Sequence, residues 1–208
     1  PADAKVLLLF PDGLTGNTSA LVRALGEKLP NVMIVGGGAG GELDLETTNQ
    51  YLGGTVHHDA VVGAFLGGAI EIECGVTHGC ELVGIEHEVT RAEGGFVAEL
   101  DGRPAWELMR EYLDDPSMEF SAPSIAYLCV AQKLPEHEDT TYGAHVIRVP
   151  LGKNDEGGLF FPGELPVGER ITMARRAREV VVERAVDSIR AVRDKRAGRK
   201  PAFVLQFE

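Results

Sequence analysis

Three glycine pairs, Gly53-Gly54, Gly67-Gly68 and Gly94-Gly95, cut the middle of this 208-residue chain into short segments rich in β-branched and aromatic side chains. The segments are Thr48–Leu52, Thr55–His58, Ala60–Leu66, Ile70–Thr77, Gly84–Arg91 and Phe96–Leu100. Tight hairpin turns need residues at positive φ, which glycine adopts without a steric penalty, so consecutive segments are expected to pair antiparallel in a meander.

Helical signals flank this β-rich stretch. Lys5–Phe10 reads as a strand closed by Pro11-Asp12-Gly13, after which Leu21, Val22, Leu25 and Leu29 recur at helical spacing. Asn17, Thr18 or Ser19 supplies an N-cap, Pro30 ends the helix, and Val32–Val35 forms the next strand. Pro104 suits the first turn of a second helix through Trp106, Leu108, Met109 and Leu113, expected at the seam between two halves. Beyond it, Ser124–Ala131, Tyr142–Val149, Gly158–Phe161 and Arg170–Arg175 read as strands, Glu179–Val192 as a helix and Ala202–Phe207 as a closing strand. Gln132–Thr141, with Pro135 and four acidic residues, reads as an exposed loop. These elements predict an α+β fold of mainly antiparallel sheets, packed as a sandwich with flanking helices and built from two loosely similar halves.

Charge narrows the partners. A net charge of −12 and a pI near 5.0 exclude a nucleic-acid ligand, because phosphate contacts require clustered Lys and Arg. The one basic region, Arg175–Lys200, interleaves its cations with Glu179, Glu183, Asp187 and Asp194 at helical intervals, the pattern of a solvated face. No apolar run approaches the ~20 residues that span a bilayer, and no secretion signal opens the sequence. Cys74, Cys80 and Cys129 are an odd number without paired spacing, which points to reduced thiols and a cytoplasmic, soluble protein. The start at Pro1 and the apolar end Phe203–Phe207 read as those of a fragment or processed product.

Several residue groups could carry chemistry. Gly36, Gly38 and Gly41 form a G-x-G-x-x-G pattern after a strand, but hairpins rather than a helix are expected to follow, so a dinucleotide site is not favoured. The exposed amides of such a loop still suit a carboxylate or phosphate, and a tight turn explains it as well. Cys74, His78 and Cys80 have soft-ligand chemistry without the C-x-x-C partner of a zinc site, so no metal or other cofactor is expected. Cys80 with His78 or His87 as base remains open as a nucleophile pair. His57 and His58 are adjacent, so one should be buried and the other exposed. Glu86, Glu88, Glu99 and Asp101 fit the wet face of a meander sheet, although acid–base pairs on one face are an alternative.

Taken together, the groups Gly36-Gly37-Gly38-Ala39-Gly40, Thr77–Gly84, Val89-Thr90-Arg91-Ala92 and Glu99–Ala105 resemble the later part of the FIST N-terminal domain and its passage into the FIST C-terminal domain. Ile147-Arg148-Val149, Asp155–Leu159 and Leu165–Glu169 resemble the C-terminal domain. The resemblance implies an N-like domain over residues 1–103 and a C-like domain over residues 104–208. It also implies an intracellular sensory module that recognises a small molecule, such as an amino acid, and works with a signalling protein partner; no catalytic residues come with it. An amino-acid carboxylate would suit the Gly37 and Gly38 amides or Arg148, and its ammonium Glu99 or Asp101, with Ala39, His78 and Cys80 completing the expected ligand-binding set. A Cys80-dependent hydrolase or transferase and a protein-interaction scaffold are the competing functional classes.

Overall fold

The computed structural model describes residues 3–40, 47–134 and 144–207. Within these the protein is mixed α+β, mostly antiparallel, with few helices, as expected. It divides into two compact units, Pro1–Ile72 with Pro201–Glu208, and Glu73–Lys200.

The first unit is organised around β1 (Ala4–Pro11), whose Val6, Leu7 and Leu9 are all buried. Adjacent residues point to opposite faces of the sheet, so β1, the middle strand of three, has buried side chains on both. Helix α1 (Thr18–Lys28) starts where Asn17 Oδ1 accepts the Ala20 N–H at 2.9 Å, and it returns the chain to β2 (Met33–Gly36). Leu21, Leu25 and Leu29 are half-buried at four-residue intervals, the apolar stripe foreseen from their spacing. β2 pairs parallel to β1, with Val6 opposite Met33 and Leu9 opposite Gly36. A hairpin of β3 (Gln50–Leu52) and β4 (Thr55–His57) turns at Gly53-Gly54, and β5 (Val61–Gly67) then runs antiparallel to β1.

The second unit is an eight-stranded sheet. Its strands are β6 (Cys80–Glu93), β7 (Phe96–Leu100), β8 (Arg103–Pro104), β9 (Leu128–Lys133), β10 (His145–Arg148), β11 (Gly152–Lys153), β12 (Leu159–Phe160) and β13 (Arg170–Arg176). They run in the order β10-β9-β13-β6-β7-β12-β11, with β8 on β7. One face carries the core: Val89, Val97, Leu100, Trp106, Met109, Leu128, Val130, Leu159, Ile171 and Met173 form a single buried cluster. Helix α2 (Ala105–Met109), expected at a seam between halves, is built into this core through Ala105, Trp106, Leu108 and Met109. It gives way to a 3₁₀ turn over Arg110–Tyr112. Helix α3 (Ala122–Tyr127) precedes β9, and helix α4 (Arg178–Lys195) follows β13 with its charges largely in solvent.

Four local expectations are corrected. Ile70–Thr77 is not a strand, since no described neighbour supplies a ladder; residues 75–79 instead lie against α4, where Ser188 and Val192 close on Gly75 and Val181 on Gly79. Ala202–Phe207 forms no strand for the same reason, and Phe207 packs its ring against Phe10 at 5.7 Å. The start of Ser124–Ala131 is helical, because Ser121 and Ser124 cap each other's backbone N–H groups and initiate α3. Gln132 and Lys133 belong to β9, paired with Val146 and His145, while the rest of the expected Gln132–Thr141 loop lies outside the described residues from 135 onward.

Candidate functional site

The chain ends of the parallel pair β1 and β2 shape the first unit's hollows, the position where open sheets of this kind take ligands. Past Gly36 the backbone turns across β1, and the Ala39 N–H donates to the Pro11 carbonyl at 2.7 Å. Gly38 packs so closely on Gly13 that a Cβ there would sit 3.0 Å from the Gly13 Cα. A hollow of about 440 Å³ opens beside this loop. Gly37, Gly38 and Ala39 line it together with Phe10, Asn49, Gln50, Tyr51, Val62, Gln206 and Phe207.

Gln50 is the unusual member. It is 3% exposed, its Nε2 donates to Thr48 Oγ1 at 2.7 Å, and its Oε1 has no hydrogen-bond partner among the described residues. Buried amide oxygens ordinarily find a donor, so an orphan at the wall of a hollow is a place where a ligand or water completes the pattern. Thr48 in turn bonds the Asp12 carboxylate, which also accepts the Leu14 and Thr15 N–H groups at 2.8 and 3.0 Å. Burial pushes the Asp12 carboxyl upward, but these donors and the Asp59 N–H outweigh it and hold the group below its usual value. A second, smaller hollow of about 110 Å³ lies here, lined by Asp12, Leu14, Thr15, Thr47, Thr48, His58 and Asp59. Gln50, Thr48 and Asp12 thus form one polar chain linking the walls of both hollows.

The second unit holds two separate titratable clusters. In one, Cys80 lies half-buried with its Sγ 3.8 Å from the Sγ of buried Cys129 and 3.3 Å from the His78 carbonyl, to which it donates. His78 Nδ1 accepts the Cys80 backbone N–H at 3.0 Å. The bond from Cys129 outweighs burial, and with His78 and the Arg176 charge it brings the Cys80 thiol down to about 6; Cys129 is raised by the same contact and by burial. In the other, buried His87 bonds Asp101 Oδ2 through Nδ1 at 2.6 Å and the Tyr112 hydroxyl through Nε2 at 2.7 Å.

His87 and the Glu88 N–H hold the Asp101 carboxyl below its usual value. A carboxylate with a depressed folded pKa stabilises the fold above its unfolded value of about 3.9 and loses that contribution as pH falls through the folded value. Asp101→Asn should therefore melt below the wild type at pH 6, and the gap should close as both approach pH 3. Thermal melts across that range check it; a gap that stays constant would contradict the assignment.

The residues singled out from sequence are distributed over these features. Gly37, Gly38 and Ala39 line the large hollow of the first unit. His78, Cys80, Glu99, Asp101 and Arg148 belong to the second, where His78 and Cys80 share one cluster and the others have different partners. Glu99 pairs with Arg91 at 2.9 Å, Asp101 with His87, and Arg148 donates to Gln132 Oε1 at 3.2 Å. His57 is half-buried and His58 exposed. Among the described residues no three His, Cys, Asp or Glu side chains group as metal ligands. No described helix is long and apolar enough to cross a membrane. Sequence reasoning missed Gln50 and Phe10; an amide beside an aromatic in a short strand carries no signal until the chain brings it to the glycine loop.

Comparison with known proteins agrees with the motifs. Residues 2–103 match the FIST N domain and residues 105–208 the FIST C domain. An uncharacterized protein of Mycobacterium tuberculosis is 33% identical over 104 residues, 50% of this chain and 27% of the relative. An uncharacterized protein of Mycobacterium bovis is 30% identical over 152 residues, 73% of this chain and 39% of the relative. One from Methanocaldococcus jannaschii is 32% identical over 107 residues, 51% of this chain and 21% of the relative. The chain thus spans under two fifths of the length of these curated relatives. No solved structure matches it.

Proposed function

Because the chain belongs to the FIST family, whose domains are generally regarded as signal-transduction sensory domains, we propose that it binds a small ligand in the large hollow of its first unit and reports that state to a signalling protein in the cytoplasm. The observation that carries this reading is Gln50, a buried amide with an orphan oxygen in the wall of a hollow. About 440 Å³ lies within the roughly 300–1,000 Å³ common for small-molecule sites. The lining supports a ligand with both apolar and polar groups, since Phe10, Tyr51, Val62 and Phe207 share it with Gln50, Gly37 and Gly38.

A free amino acid has that character. Its carboxylate would meet the Gly37 and Gly38 backbone and its ammonium the Gln50 amide oxygen, a charge-assisted bond. Isothermal titration against the common amino acids should yield at least one binder, and Gln50→Leu should weaken it about tenfold, equivalent to roughly 1.4 kcal/mol. If no amino acid binds, or if Gln50→Leu binds equally well while remaining folded, this ligand assignment is wrong.

A further inference from the structure

The paired thiols of the second unit play no part in that site. Cys80 opens β6 directly opposite Arg176 of β13, and Cys129 of β9 stands opposite Ala174 on the other side of the same strand. Residues 174 and 176 are two apart, so all four side chains project from one face. The small Ala174 side chain leaves room for the two sulfurs to meet above β13, at 3.8 Å. The two cysteines belong to strands that flank β13 and are not neighbours in the sheet. Both cysteines are free, and at 3.8 Å their sulfurs are placed to share a proton.

We propose that Cys80 is a site of reversible thiolation by low-molecular-weight disulfides, with Cys129 acting as a positioning residue that donates a hydrogen bond to the Cys80 thiolate. The Cys129 proton has two acceptors, the Ala174 carbonyl at 3.3 Å and the Cys80 sulfur. A charged sulfur is the stronger of the two, so ionising Cys80 draws that proton toward it. When Cys80 is protonated, its own S–H donates to the His78 carbonyl instead. The charged and titratable groups acting on Cys80 are Cys129 from β9, Arg176 from β13 and His78 beside it in the chain; His78 also acts on His145 of β10. Half-burial leaves the sulfur within reach of a small reagent while Cys129 stays enclosed.

The step balances as a thiol–disulfide exchange. The Cys80 thiolate attacks one sulfur of RS–SR, the Cys80–SR bond forms as the S–S bond breaks, and RS⁻ leaves and takes a proton from water. Cys80 is oxidised, half of the reagent is reduced, and a reducing thiol reverses the exchange.

The test uses the whole chain with oxidised glutathione and, for rates, iodoacetamide. Intact mass and peptide mapping should show a single glutathione adduct on Cys80, removed by dithiothreitol and absent from Cys80→Ser. Alkylation of Cys80 should have its pH midpoint near 6. A free cysteine has its midpoint near 8.5. At pH 6 Cys80 should react roughly tenfold faster than free cysteine, once the lower nucleophilicity of a low-pKa thiolate is allowed for. Cys129→Ala should move that midpoint upward by at least one pH unit, and Cys129→Ser, which keeps a donor, should restore most of it. A Cys80 midpoint like that of free cysteine in the unmodified chain overturns the proposal without any variant. A Cys80–Cys129 disulfide as the product, or a midpoint indifferent to Cys129→Ala, overturns the donor role.

Discussion

Gly36→Ala is expected to destabilise the first unit by about 3–5 kcal/mol and to abolish any ligand binding there. Gly36 has φ +153°, a conformation that L side chains rarely adopt, and it pairs with Leu9 on the last rung between β1 and β2. A Cβ at this point would overlap the Leu9 carbonyl oxygen and lie 2.8 Å from its carbon. Both are backbone atoms of the buried central strand, so neither can swing aside as a flexible side chain would. Relief requires prising β2 away from β1, which displaces the Gly37–Ala39 wall of the hollow that follows it. Gly26→Ala is the matched control: it lies in α1 with open space around its would-be Cβ. There alanine should be neutral or stabilising by about 0.5–1 kcal/mol, through better helix propensity. Urea unfolding with hydrogen exchange at the β1 amides reads both, and a Gly36→Ala midpoint within error of the wild type would refute the argument.

The same pairing explains what was legible in the sequence. Gly53-Gly54 and Gly94-Gly95 join neighbours, β3 to β4 and β6 to β7, because a two-residue turn fixes its own partner. Gly67-Gly68 carries the same local signal and ends β5, yet β5 pairs back to β1, fifty or more residues earlier in the chain. Nothing in its turn chemistry encodes that partner; the apolar stripe of β1, buried on both sides, selects it. Ile70–Thr77 shows the converse, a β-prone run that stays irregular because, among the described residues, no strand edge pairs with it. Propensity thus located most strands, and long-range pairing decided which of them became strands.

The candidate site divides along the same line. Its glycine loop is contiguous, and Gly37, Gly38 and Ala39 could be singled out from a run of letters. The other walls come from β1, β3, β5 and the segment ending at Phe207, four places whose meeting is a tertiary fact. Cys80 and Cys129 are likewise 49 residues apart, and only the register of β13 between β6 and β9 brings their sulfurs together. Chemistry carried by adjacent residues is readable early, while chemistry assembled across a sheet requires the sheet.

His87→Ala is expected to produce the largest loss in the second unit, about 2–4 kcal/mol, because it removes a hub rather than a single contact. The side chain is 7% exposed and joins three elements: β6 on which it sits, Asp101 just after β7, and Tyr112 at the end of the 3₁₀ turn. An ionised Asp101 can only accept, so Nδ1–H donates to it, while the Nε2 edge is closed by the Tyr112 hydroxyl. Asp101 is held in turn by the Glu88 N–H at 2.8 Å, and it adopts φ +51°, so the turn after β7 depends on the same carboxylate. Tyr112 fits because Gly84, at φ +77°, has no side chain; a Cβ there would overlap its ring and lie 2.7 Å from its hydroxyl. Tyr112→Phe removes one bond and keeps the ring, so it should cost about 1 kcal/mol. The double variant should lose less than the sum of the two, because with His87 gone the hydroxyl has no partner left to lose. Urea titrations of the four proteins measure the coupling. Strict additivity, or a His87→Ala loss below about 0.5 kcal/mol, would mean that β6, the turn after β7 and the 3₁₀ turn are held together by the apolar core alone.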